Sequence, residues 1–288
     1  MTDILTDLTP TTLATAVKAN LYAFFQAMGN SANAIIQNNP YGFNWRTNIP
    51  HPWFNGALST LNPKADVNQT VRETVNYFQA NDVTSFTWWL APHLESTAWR
   101  QHLLAHGFQY DSNTPGMAMD LDALPQPAEH PLTIREVEEP QMLAEWVRVF
   151  VRGFEMPVEM APGFLSLLQS LGIDLPLRHY LGYLNDKPVA SSTLFLGTGV
   201  AGIYNVATVA EARGQGIGSA MTLAPLYEAR AMGYRAGVLQ SSKMGYGVYQ
   251  RLGFQKLCQM EHFYWQAAGD PIQEKWTRFK ETGHTFSG

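Results

Sequence analysis

The sequence predicts an α/β chain built in two parts of similar length. Three observations lead there. The second half alternates strand-like and helix-like stretches. A proline-rich break at 122–131 (DALPQPAEHP) separates it from the first half, because proline supplies no ladder donor and ends regular structure. The same Gly-Phe pair, Gly107-Phe108 and Gly253-Phe254, follows a short helix-like stretch in both halves.

Taken in order, the first half ends with a strand at 85–90, a helix at 96–105 and a strand at 117–121. The second half opens with a strand at 132–136. A helix at 140–150 shows an apolar stripe at Leu143, Trp146, Val147 and Phe150, and a second helix covers 162–171. Strands at 178–184 and 188–196 are joined by the turn residues Asn185-Asp186-Lys187, and a further strand spans 202–209. Residues 216–232 have helical composition and stop at Gly233. A short buried strand at 236–240, a short helix at 245–252 and one or two strand runs in 254–265 complete the half. Domain limits follow at 1–124, a linker at 125–131, 132–266, and a tail at 267–288 in which Ile272, Trp276 and Phe279 share one helical face.

Composition excludes several classes. The chain has 288 residues, 45% of them hydrophobic and only 15% charged, enough for a substantial core. The net charge is −5 and no basic run exceeds two residues, which argues against a nucleic-acid surface. The single cysteine, Cys258, rules out an internal disulfide and suits a cytoplasmic protein. The acidic start reads as no signal peptide, and no apolar stretch reaches membrane-spanning length. His102 and His106 have the spacing of two metal ligands, but no glutamate follows His102, so surface histidines are expected and no metal.

The chemistry concentrates in Arg213-Gly214-Gln215-Gly216-Ile217-Gly218-Ser219, after a strand and at the start of a helix. Glycines at alternate positions let backbone approach an anion, and free amides at a helix N-terminus point at it. Together they form a nest suited to pyrophosphate, to which Ser219 adds a hydroxyl and Arg213 a charge. The lysine of a P-loop is missing, and so is the spacing of a dinucleotide-binding turn.

Some way downstream comes Ser241-Ser242-Lys243-Met244-Gly245-Tyr246-Gly247-Val248-Tyr249-Gln250-Arg251-Leu252-Gly253-Phe254. With this second motif, residues 131–266 resemble the GNAT superfamily of N-acyltransferases. That family has Arg/Gln-x-x-Gly-x-Gly/Ala after its fourth strand and Tyr-x-x-x-Gly-Phe on a short helix after its fifth. The resemblance implies tandem GNAT-like domains, each a central mixed β-sheet flanked by helices. It also implies acetyl-CoA as co-substrate, a small-molecule or peptide amine as acceptor, and direct attack through a tetrahedral intermediate.

By that resemblance, the backbone of Val206, Ala207 and Thr208 would bond pantetheine and the acetyl carbonyl. Arg213, Gly214, Gln215, Gly216, Ile217, Gly218 and Ser219 would hold the pyrophosphate. Ser242 stands where the family often has asparagine, and Ala210 where proline is common. Tyr249 matches the family's tyrosine beside the sulfur and would protonate the leaving thiolate. No Asp or Glu lies in 202–209 or 236–241, so the base is not evident; Glu155 is the carboxylate placed for acceptor binding or proton transfer. Cys258 falls on a closing strand and is expected to be inert.

The first half lacks this equipment. Its stretch 61–80 contains no glycine, and Leu103 stands where Tyr249 does when counted back from Gly-Phe. A degenerate repeat of that kind would shape the acceptor pocket, extend the sheet or mediate a homodimer. Its aromatics Phe43, Trp45, Trp53, Phe54, Trp88 and Trp89 read mainly as core, with those near 44–54 able to line a groove. Three other functions fit the same motifs: a non-catalytic acyl-CoA-binding regulator, a transferase with a different acyl donor, and an acetyltransferase of protein N-termini.

Overall fold

The computed structural model describes residues 3–59, 66–90, 96–126, 129–173 and 175–267. The first part contributes α1 (Pro10–Met28), β1 (Ala34–Asn39), β2 (Gly42–Thr47), β3 (Gly56–Ser59), α2 (Val67–Gln79), β4 (Ser85–Leu90), α3 (Ser96–Ala105) and β5 (Gln109–Asp120). The second contributes β6 (Thr133–Glu136), α4 (Pro140–Gly153), α5 (Ala161–Leu171), β7 (Leu177–Leu184), β8 (Lys187–Gly197), β9 (Val200–Thr208), α6 (Ile217–Ala231), β10 (Ala236–Gln240), α7 (Tyr246–Leu252) and β11 (Gln255–Gln266). Every element expected in the second part is present, and its closing segment is a single strand. The helical face expected in the tail lies outside the described residues.

In the first part, β4 and α3 fall where the sequence places them. The strand expected at 117–121 is the end of β5, which begins much earlier, at Gln109. The helix α1 carries buried residues at Leu13, Ala16, Val17, Asn20, Leu21 and Phe24, the spacing of one helical face. In α4 the stripe Leu143, Trp146, Val147 and Phe150 is buried, with Pro140 in the first turn where its missing N–H costs nothing.

The two expected sheets are joined into one of eleven strands, ordered β1-β2-β3-β4-β11-β5-β10-β9-β8-β7-β6. The order shows an exchange. The closing strand of the first part, β5, pairs antiparallel with β10 of the second, from Gln240↔Gly116 to Ala236↔Asp120. The closing strand of the second, β11, pairs antiparallel with β4 of the first, from Glu261↔Leu90 to Gln266↔Ser85. The two also pair with each other at the centre of the sheet. The break at 125–131 thus divides the chain but not the sheet.

The echo between the halves is geometric as well. Phe108 N–H donates to the Leu103 carbonyl at 3.0 Å, and Phe254 N–H donates to the Tyr249 carbonyl at 3.0 Å. Each closes its helix across a glycine of positive φ, Gly107 (84°) and Gly253 (102°). Leu103 therefore occupies in the first half the place that Tyr249 occupies in the second.

Helices cover both faces. On β7, His179 packs against Trp146 of α4, whereas the next residue, Tyr180, donates a hydrogen bond to Glu228 of α6. So α4 and α6 lie on opposite faces. Phe24 of α1 packs on Phe195, whose register partner Leu177 shares the His179 face, which puts α1 on the same side as α4. Among the described residues no helix is long and apolar enough to cross a membrane.

Two predictions follow from this architecture. A fragment beginning at residue 129 lacks both strands that flank β11, and it leaves the antiparallel edge of β10 open. It should show no cooperative melting transition, whereas the full chain should; a fragment that melts cooperatively would mean that β11 can fold back onto β10 unaided. The second concerns acid. Burial holds the imidazoles of His51, His179 and His262 at pKa values of about 3, about 4 and about 4. Unfolding returns them toward 6.5, so the unfolded chain binds more protons and stability falls as pH drops below that value. The loss should reach on the order of 2 kcal/mol per histidine by about pH 5. A melting temperature that stays flat between neutral pH and pH 5 would contradict it.

Candidate active site

The loop between β9 and α6 has the shape of an anion cradle. Gly214 and Gly216 take positive φ angles of 77° and 79°, a region that favours glycine. Gly216 is the N-cap of α6, without a side-chain cap. The amides at the start of α6 therefore lack intrahelical partners, and the helix dipole adds positive potential there. The loop is braced from outside the motif. His130 Nε2 donates to the Gln215 carbonyl at 2.7 Å, while its Nδ1 accepts from Leu132 N–H at 3.0 Å. His130 lies in the proline-rich break, and nothing in the sequence marks it for this part.

The second feature is a gap in the sheet. The parallel strands β9 and β10 pair only at Ala201, Gly202 and Ile203. Beyond Ile203, β9 keeps β8 on one side, from Thr193↔Tyr204 to Ala190↔Thr208. Two β9 residues, Asn205 and Val206, face the single residue Ser192, which is a β-bulge. Asn205 has a φ of 56°, unusual for a residue with a side chain. A hydrogen-bonded chain holds it, since Asn205 Nδ2 donates to Thr193 Oγ1 at 3.2 Å and Thr193 Oγ1 lies 2.9 Å from His179 Nδ1.

The loop and the gap line one cavity of about 340 Å³. Val206, Ala207, Thr208, Arg213, Gly214, Gly216, Ile217, Gly218, Ser219, Ser242 and Tyr249 all border it. Gln215 does not; its carbonyl is turned to His130. Arg213 is a clamp at the cavity edge. It donates from Nε to the Thr208 carbonyl (3.1 Å), from Nη2 to the Gly153 carbonyl (2.8 Å) and from Nη1 to Glu155 Oε1 (3.0 Å). Glu155 is thus bound to the arginine that ties α4 to β9. Ser242 Oγ accepts from Gly245 N–H at 3.0 Å and closes the turn into α7.

Tyr249 is buried on α7, and burial pushes its phenol up to about 12; a hydrogen bond with Thr222 acts the other way. It holds its proton throughout the neutral range. Cys258 is buried, and burial raises its thiol as well, so little thiolate forms. Among the described residues no group of three His, Cys, Asp or Glu is placed to hold a metal. His106 Nε2 lies 2.8 Å from Asn68 Oδ1.

A second cavity, of about 120 Å³, adjoins the first. Phe154 borders both, and the neighbours Asn205 and Val206 border one each. One wall comes from the first half, including Trp45, Trp53, Phe54 and Trp89, while Phe43 and Trp88 are core. Sequence periodicity could not have joined these walls, which come from distant segments.

Residues 143–254 match the model of the acetyltransferase (GNAT) family. This segment is a GNAT domain. GNAT domains transfer acyl groups, in general from acetyl-CoA, to amines. Similarity to solved structures extends beyond this segment to most of the chain. The fold is similar to a GCN5-related N-acetyltransferase from Kribbella flavida, with a TM-score of 0.64, 18% identity, and 91% of this chain and 97% of that one covered. A GCN5-related N-acetyltransferase from Sphaerobacter thermophilus gives 0.57 and 18%, over 77% and 76%. A tandem GNAT protein from the clavulanic acid biosynthesis pathway, solved without AcCoA, gives 0.53 and 14%, over 89% and 97%. No curated protein matches the sequence.

The bulge gives a direct test of how the gap is held open. Asn205→Gly keeps the positive φ and loses one hydrogen bond, so stability to urea should stay within about 1 kcal/mol of the parent. Asn205→Val forces a β-branched residue into the same angle and should lose about 1–3 kcal/mol more. Equal losses in the two variants would show that the backbone angle at 205 carries no weight.

Proposed function

We propose that the protein is an N-acetyltransferase that moves an acetyl group from acetyl-CoA to a primary amine by direct attack. The observation that carries this reading is the convergence on one cavity of the anion cradle at Gly214–Ser219, the unpaired edge of β9 and the buried Tyr249 hydroxyl-bearing helix. The amides at the start of α6 would take the pyrophosphate. The open edge of Val206, Ala207 and Thr208 would take the pantetheine and acetyl carbonyl, and backbone N–H groups there would stabilise the oxyanion.

In the reaction, the amine nitrogen attacks the thioester carbonyl and a C–N bond forms. The C–S bond then breaks with its electron pair on sulfur, and Tyr249 gives that sulfur a proton, to be restored from solvent. The nitrogen releases one proton to water. Glu155, bound to Arg213, serves by holding the clamp between α4 and β9 and not as the base. The strands β9 and β10 themselves carry no carboxylate.

Isothermal titration and steady-state turnover test the reading together. Wild type should bind acetyl-CoA in the micromolar range. Gly216→Glu places a side chain at a φ of 79° and an anion in the cradle, and binding should be lost while the melting transition remains. Tyr249→Phe should bind acetyl-CoA as tightly as wild type while kcat drops by about 10²-fold or more. Binding without turnover of any amine would favour an acyl-CoA-binding regulator, and failure of wild type to bind would remove the donor assignment.

A further inference from the structure

The smaller cavity carries information about the acceptor. None of the described residues lining it is charged. Its wall from the first half consists largely of rings: Phe24, Phe25, Trp45, Trp53, Phe54 and Trp89. The rings brace one another, with Phe25 stacked on Trp45 at 4.4 Å and Trp53 edge-on to Phe154 at 5.4 Å. A space of about 120 Å³ is near the size of a cavity that admits a single benzene ring, ~150 Å³.

One polar group lining the cavity is incomplete. Gln240, at the end of β10, is only 6% exposed. Its Nε2 is turned to the Val17 carbonyl at 3.4 Å, and its buried Oε1 has no hydrogen-bond partner. A buried acceptor without a donor costs about 1–3 kcal/mol, so an N–H arriving there gains what the empty site lacks. An acyl chain brings no such donor; an amine does. Tyr204, by contrast, is already satisfied, since its hydroxyl donates to Asn20 Oδ1 at 2.8 Å.

We propose that this cavity is the acceptor site and that it selects an arylalkylamine: a single aromatic ring on a short uncharged chain ending in a primary amine. The assignment rests on the acyl-transfer reading above. The ring lies among the aromatics of the first half, and the amine reaches the gap beside Asn205 and donates to Gln240 Oε1. Polyamines are disfavoured, because their additional ammonium groups find no carboxylate, and aminosugars because their hydroxyls find few polar partners among the rings; an unpaired buried charge or polar group is costly. The same absence accounts for the missing base. A cavity without anions favours the neutral amine over the ammonium, and the neutral amine is the nucleophile. The first half thus contributes specificity after losing the cradle and the tyrosine.

The test uses the full chain, acetyl-CoA and two acceptors, 2-phenylethylamine and 1,4-diaminobutane, with acetyl-CoA binding measured first by titration. For wild type, kcat/KM for the aromatic amine should exceed that for the diamine by about 10²-fold. Trp53→Ala should raise KM for 2-phenylethylamine roughly tenfold with little change in kcat. Gln240→Leu removes the acceptor offered to the reacting amine and should lower kcat/KM for 2-phenylethylamine roughly tenfold; melting curves confirm that both variants fold. Equal or better use of the diamine by wild type overturns the proposal and leaves the acyl-transfer reading standing. So does a preference for hexanoyl-CoA over acetyl-CoA, which would give the cavity to the acyl chain. If acetyl-CoA does not bind at all, the acyl-transfer reading falls and takes this one with it.

Discussion

A parallel strand pair that stops pairing must leave backbone donors and acceptors facing each other across a gap. Here β9 and β10 hold together over Ala201–Ile203 and then part. Such a gap is costly unless something else satisfies the exposed groups. The bulge at Asn205 and Val206 turns β9 away, and the chain through Thr193 and His179 keeps it turned. Both cavities lie along this opening, one on each side of the Asn205–Val206 step. The glycine loop at 214–219 and Tyr249 are arranged around it.

The opening also explains the first half. Gaps weaken sheets, and β10 is a short strand. On its other edge it is paired along its whole length with β5, a strand from the first half. The same half sends α1 across β9 and β10 on the face that bears the smaller cavity. Stability of the gap and shape of the cavity therefore come from one source. The first half acts on the opening through what it packs against.

Local features were the readable ones. The cradle is contiguous, needs glycine at positions of positive φ and precedes a helix, so its residues announce it. The α7 helix is likewise contiguous, and Gly253 ends it in a way that composition reveals. The stripe in α4 shows in its periodicity. What could not be read was pairing at a distance. Nothing in 255–266 indicates that this strand seeks β4 and not β10, because both neighbours offer the same antiparallel edge chemistry. The clamp made by Arg213 was hidden for a similar reason, since two of its three described acceptors are backbone carbonyls, which have no sequence identity. The smaller cavity draws on residues from Leu21 to Gln240, and only folding brings them together.

The exchange of closing strands bears on how the molecule is made. A ribosome delivers β5 long before β10, its partner, and delivers β4 long before β11, its own. The first half cannot complete its sheet when its own chain has emerged. It must wait with three strand edges uncovered, two of them until the last described strand is synthesised. Domain-by-domain folding during translation is unavailable to it, and the long-range pairings place it among slow-folding topologies. In the interval, unpaired edges are open to other chains. A protein of this design therefore depends on being held apart from its neighbours until residues 255–266 arrive, and its two halves have a single moment of folding in common.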